Sequence, residues 1–167
     1  LSGFAGTTAR RFGLTTENWQ TELVWAGRGF ALSLAPVFCL MLGMAALKWV
    51  TEETAHPLIR MLAEPNGVWG VFPIAVTAVV VAPLVEELLF RVIIQGELER
   101  HASPSVAIGI TAVVFSLVHG FPNAIGLLPL AVILGVLYHR RHRYITVVLV
   151  HAMFNAFNVG LALLNLM

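Results

Sequence analysis

Between Gly29 and Leu47 the chain carries no charged side chain, and about 20 predominantly apolar residues suffice for a helix to cross a bilayer. Further apolar runs extend over about 68–100, 105–119, 125–138 and 144–166. Runs of that length constrain the chain more than any other feature, because they read as transmembrane helices. Composition agrees. Of the residues, 58% are hydrophobic and only 11% charged, against about 25% charged in ordinary soluble domains, and the mean hydropathy is +0.84. The prediction is an all-α fold, a polytopic membrane helix bundle of about five transmembrane helices around a buried polar site. One domain over 29–167 follows a polar cytoplasmic or interfacial segment over 1–28.

The opening stretch holds Arg10, Arg11 and Arg28, with Trp19 and Trp25 suited to the membrane interface, and it lacks the apolar core of a signal peptide. It begins at Leu1, not methionine, which reads as a fragment or a trimmed product. Thr51 to Gly67 is a polar connection that ends on a Pro-Asn-Gly break. The second apolar run, from Val68 to about Arg100, is longer than a bilayer needs. That predicts a helix that is tilted, broken near Pro73 or Pro83, or protruding. A tight turn at HGFPNA and the basic cluster HRRHR separate the later helices. Neither an internal repeat nor a low-complexity tract is visible.

With five spans, Arg10, Arg11, Arg28, Arg100, Arg140, Arg141 and Arg143 fall on one side, and Lys48 and Arg60 on the other. The positive-inside rule then predicts an integral, multi-pass protein of the cell (inner) membrane with a cytoplasmic N-terminus. A formal charge of +1 gives no sign of a nucleic-acid partner. The partners expected are the bilayer itself and a membrane-associated peptide or protein. The single cysteine, Cys39, lies in an apolar run and reads as a packing residue.

Against this background, VEELLFR, Val85 to Arg91, stands out. Charged groups at bilayer depth cost roughly 2.5–3.5 kcal/mol each on insertion scales and are retained where they pair or do a job. Glu87 and Arg91 are one helical turn apart and can pair. Glu86 points about 100° away from Glu87 and has no local partner in the sequence. Two histidines also fall inside apolar spans: His119, ending SLVH, and His151, in VLVHAMFN. Phe115 precedes His119 by four residues and Asn155 follows His151 by four, so each pair shares a helix face.

Counting from the turn near 100–104, Glu86 lies about 21 Å up its helix and His119 about 23 Å up the next. Counting from Tyr144, Asn155 lies at about 17 Å and His151 at about 11 Å. Glu86, His119, His151 and Asn155, from three helices, can thus converge on one buried pocket. A glutamate, two histidines and an amide can activate water and stabilise an oxyanion. Plainer readings stand beside this one. Glu87–Arg91 can be a structural ion pair, His119 a helix-end residue, and His151 with Asn155 interhelical hydrogen-bonding glue. Ser116, three residues before His119, suggests a serine–histidine dyad but lacks flanking glycines. His56, His101, His139 and His142 sit in polar loops.

Two absences narrow the chemistry. All nine acidic residues are glutamates, which excludes an aspartyl protease built from this chain alone. No HExxH occurs, which argues against a zincin.

The elements EELLFR, FSLVH and HAMFN match the EExxxR, FxxxH and HxxxN motifs of the CAAX-protease and bacteriocin-processing (CPBP, or Abi) family of intramembrane proteases. Over about residues 70–160 the chain resembles the Rce1-like branch of that family, with the motifs in order. One departure is Val92, where a glycine often follows the arginine. The resemblance implies an endopeptidase acting on CAAX-type prenyl-proteins, bacteriocin leaders or other membrane peptides. It implies that Glu86 is the general base, that His119 holds and polarises the water, and that His151 and Asn155 form the oxyanion hole. Glu87, Arg91 and Phe115 would support them. Members were first called metalloproteases and are now treated as metal-independent glutamate proteases, so no cofactor is expected. The alternative within this class is a zinc enzyme with Glu86, His119 and His151 as ligands. From another class, the alternative is a non-catalytic immunity or scaffold protein of the membrane. A transporter fits poorly, since no inverted repeat is present.

Overall fold

A computed structural model describes residues 18–49 and 67–164. The polar opening over 1–17 and the connection over 51–66, with its His56, lie outside the described residues. Five helical stretches follow in order. α1 is Trp19–Ala46. α2 is a composite over 67–98, in which α-helical Gly67–Val76, Ala82–Glu87 and Gly96–Leu98 alternate with π-helical Thr77–Val81 and Leu88–Gln95. α3 is Pro104–Leu117, α4 Asn123–Arg141 and α5 Tyr144–Leu163. Among the described residues there is no strand. Among the same residues four helices, α1, 70–98 of α2, α4 and α5, are long and apolar enough to cross a membrane. The molecule is an all-α polytopic bundle.

Several boundaries differ from those read in the sequence, each for a physical reason. α1 starts ten residues before Gly29, because its Glu22 does not face lipid. The carboxylate accepts from Arg141 Nη2 at 2.8 Å and from the Thr146 hydroxyl, and it is buried. α2 does not break at either proline; the two π segments keep it continuous past them. α3 has only 14 residues, about 21 Å at 1.5 Å per residue, against about 30 Å of hydrocarbon. It ends at Leu117, and Gly120, at φ +75°, helps turn the chain back into α4. Left-handed backbone of that kind is cheapest for glycine. α4 continues through His139, Arg140 and Arg141, the two arginines suiting the negative end of the helix dipole, and stops at left-handed His142.

α3 and α4 form an antiparallel hairpin, α1 lies across α4 and α5, and α2 packs on α5 and α3. The larger core joins Ala26 and Val37 of α1 to Val92 of α2, Leu130, Leu134 and Tyr138 of α4, and Val147, Val150 and Phe154 of α5. A smaller one, of Phe90, Ala112, Phe115 and Ala131, fills the junction of α2, α3 and α4. Small residues set the helix spacing, as expected where lipid supplies no hydrophobic drive between helices. A Cβ on Gly29 would come within 2.9 Å of Val150 Cγ2 and 3.1 Å of Leu137 Cδ2, so α1 docks on α4 and α5 through bare backbone.

Candidate active site

The polar groups gather where α2, α3 and α5 meet. Glu86 and Glu87 close the α-helical turn Ala82–Glu87, and the π segment that carries Arg91 begins at the next residue. π-helical turns widen a helix locally and recur at functional sites. Glu87 and Arg91 are both fully buried, with Arg91 Nε donating to Glu87 Oε2 at 3.0 Å. The Arg91 guanidinium also lies 5.0 Å from the centre of the Phe115 ring.

His151 stands between the two glutamates. Its Nδ1–H donates to Glu87 Oε1 at 2.8 Å, and its Nε2 faces Glu86 Oε2 at 3.8 Å. His119 approaches the same oxygen from α3, with Nε2 3.6 Å from Glu86 Oε2. Its Nδ1–H donates to the Phe115 carbonyl at 2.7 Å. Each ring is therefore held at Nδ1 by an acceptor and turns Nε2 toward one carboxylate oxygen. Holding the far nitrogen in this way fixes the orientation and tautomer of a working imidazole. Because α3 stops short, His119 sits just beyond its end, at the depth of Glu86. Glu86 is 28% exposed, whereas Glu87 is sealed. One glutamate is reachable and the other is not.

Phe115 is the floor of this arrangement. Its ring lies 4.7 Å from that of His119, 5.7 Å from that of His151 and 5.1 Å from that of Phe90. Asn155 is on the same face of α5 as His151, but its Nδ2–H donates to the Ala78 carbonyl at 2.8 Å. The π segment explains why that carbonyl is available. Ala82 N–H bonds Thr77 O, five residues back. Continued by one residue, that register sets Ala78 O opposite Pro83, which has no N–H to give.

The structure thus brings Glu86, Glu87, Arg91, Phe115, His119 and His151 together, with Asn155 anchored one turn further along α5. Ser116 makes no bond to His119. Its hydroxyl is buried and unpartnered among the described residues, and both ring nitrogens of His119 face other groups. Two contributors carried no sequence signal. Tyr144, which reads only as the start of a span, donates its hydroxyl to Leu84 O in the turn before the glutamates. The Ala78 carbonyl is backbone. Among the described residues, no group of three or more His, Cys, Asp or Glu side chains is disposed to hold a metal ion.

No curated protein and no solved structure matches the chain. Residues 68–157, more than half of it, match the family described as type II CAAX prenyl endopeptidase Rce1-like. That span reaches from the first turn of α2 past Asn155 and holds every side chain of the cluster just described. Motifs, fold and family match agree, and the chain belongs to the Rce1-like family of membrane endopeptidases.

Proposed function

We propose that this protein is an intramembrane endopeptidase in which Glu86 activates water for attack on a peptide bond. The observation that carries this reading is the approach of two Nδ1-anchored imidazoles to the one reachable carboxylate. The separations of 3.6 and 3.8 Å are too long for direct hydrogen bonds. They suit a small group that donates and accepts between them, such as water.

The water gives one proton to Glu86 as its oxygen bonds to the carbonyl carbon, and His119 Nε2 orients it. His151, held at Nδ1 by the Glu87 carboxylate, turns Nε2 toward the developing oxyanion and donates to it when both ring nitrogens carry a proton. The amide of Asn155 has two N–H groups; one holds Ala78 O and the second is available to the same oxyanion. Collapse breaks the C–N bond, and the proton on Glu86 passes to the leaving amine. Arg91 holds Glu87 in place through their buried ion pair, and Phe115 packs against both rings.

The substrates proposed are membrane-associated peptides, of the prenylated CAAX type or bacteriocin and leader peptides. The arginine-rich end, where Trp25 meets Arg28 and Arg141 and where Glu99 meets His139, is proposed to face the cytoplasm.

Detergent-purified protein and its Glu86→Gln variant would be offered prenylated and plain membrane peptides, with cleavage read by mass spectrometry. The expected result is cleavage by the wild type, unaffected by a strong chelator, and a loss of about 10²–10⁴-fold in Glu86→Gln. Activity lost on chelation and restored by zinc would replace the water mechanism with a metal one. A folded wild type that cleaves nothing would point to a non-catalytic immunity or scaffold role.

A further inference from the structure

A second polar assembly lies at the opposite end of α5 from Asn155 and takes no part in the chemistry above. At its centre is Trp25 of α1. Arg28 and Arg141 both set their guanidinium groups against its indole, 5.1 and 5.2 Å from the ring centre. Arg141 also bonds buried Glu22, and Arg143 Nε lies 3.9 Å from the same carboxylate oxygen. Two guanidinium groups thus meet one carboxylate while Arg28 lies against the same indole, so that among the described residues three cations gather near a single anion. The first turn of α5 adds the positive end of its dipole, with no side-chain cap from Arg143.

Directly beside these charges is a groove of about 320 Å³ between the first turns of α1 and α5, lined by Trp19, Glu22, Leu23, Ile145 and Leu149. Its walls are apolar, since the Glu22 carboxylate is turned inward to Thr146 and Arg141. Cations beside an apolar trough near the end of the bundle match one occupant in both charge and hydrophobicity. Basic pockets between transmembrane helices at the membrane surface accept anionic lipid head groups, and tryptophan and arginine favour that depth.

We infer that the corner formed by α1 and α5 is a binding site for one anionic phospholipid. The phosphate sits among Arg28, Arg141 and Arg143, and an acyl chain lies along Leu23, Ile145 and Leu149. This site is separate from the Glu86 cluster, and its test does not depend on catalysis.

The test uses the whole chain in nanodiscs of phosphatidylcholine with increasing phosphatidylglycerol, with retained lipid counted by native mass spectrometry after mild detergent extraction. The wild type should retain one phosphatidylglycerol in preference to phosphatidylcholine. Arg28→Gln removes an exposed cation that does not touch Glu22, and it should weaken retention about fivefold, the worth of one arginine at an anionic surface. Leu23→Trp, at a partly exposed wall position, should fill the trough and reduce retention similarly; thermal unfolding identifies any variant that has lost its fold. Equal retention of the two lipids by the wild type would overturn the proposal. So would a folded Leu23→Trp that binds as the wild type does while inorganic phosphate competes, since that marks a free-anion site without a lipid chain.

Discussion

At the scale of single residues, the cluster is organised by which charges are sealed and which are reachable. Glu87 and Arg91 are both fully buried, so neither can be removed without leaving the other as an uncompensated charge in an apolar junction. Breaking a buried pair from one side costs about 3–5 kcal/mol. Arg91→Met is therefore expected to lower unfolding stability by about that amount, measured by chemical denaturation in mild detergent. Adding Glu87→Gln should restore part of it, because the orphaned charge is then gone. If Arg91→Met alone were neutral, the pair would not carry this role. Glu86 behaves oppositely. It is partly exposed, so Glu86→Gln should remove cleavage while leaving the melting temperature within about 2–4 °C.

At the scale of elements, α2 matters most, because its irregular backbone aims the glutamates. Pro83 removes the N–H that would have met Ala78 O in the π register, and Asn155 supplies a donor from α5 instead. A carbonyl left unsatisfied in an apolar setting costs about 1–3 kcal/mol. Asn155→Leu should destabilise the bundle accordingly. Pro83→Ala in that background should recover about 1 kcal/mol by returning a backbone donor, a coupling that a double-mutant cycle of unfolding energies would measure. Additive effects would mean that the proline and the asparagine are not exchanging one hydrogen-bond partner. The short α3 contributes through its length: a helix that crossed fully would carry His119 past Glu86.

At the scale of the whole molecule, α1 closes the bundle over α4 and α5 through Gly29 and the buried Glu22. Gly29→Ala should cost about 1–3 kcal/mol through overpacking against Val150 and Leu137. Gly43→Ala, where an added Cβ meets nothing within 4 Å, should instead be neutral or stabilising, by roughly 0.5–1 kcal/mol. Unfolding of the two variants side by side tests that docking surface. The cytoplasmic placement proposed for the arginine-rich end is checked by a single label: His142→Cys with Cys39→Ser should react with an impermeant thiol reagent in intact cells only after permeabilisation.

Much of this was legible without coordinates, and the reason is the solvent. Lipid penalises charge so heavily that EELLFR, His119 and His151 stand out from apolar runs, and helical periodicity alone pairs Glu87 with Arg91. The all-α class followed from run length in the same way. Other features depend on contacts between helices that no local pattern encodes. Glu22 read as part of a polar lead-in, because its partners Arg141 and Thr146 lie more than a hundred residues away. The π segments, the Ala78 carbonyl that Asn155 holds and the Tyr144 bond to Leu84 depend on backbone register, which side-chain identity specifies only weakly. Run length and the placing of charge are enough to specify a membrane helix bundle with a charged centre. That His151 stands between the two glutamates, with one sealed and the other open, follows from how α2, α3 and α5 cross, which no local pattern encodes.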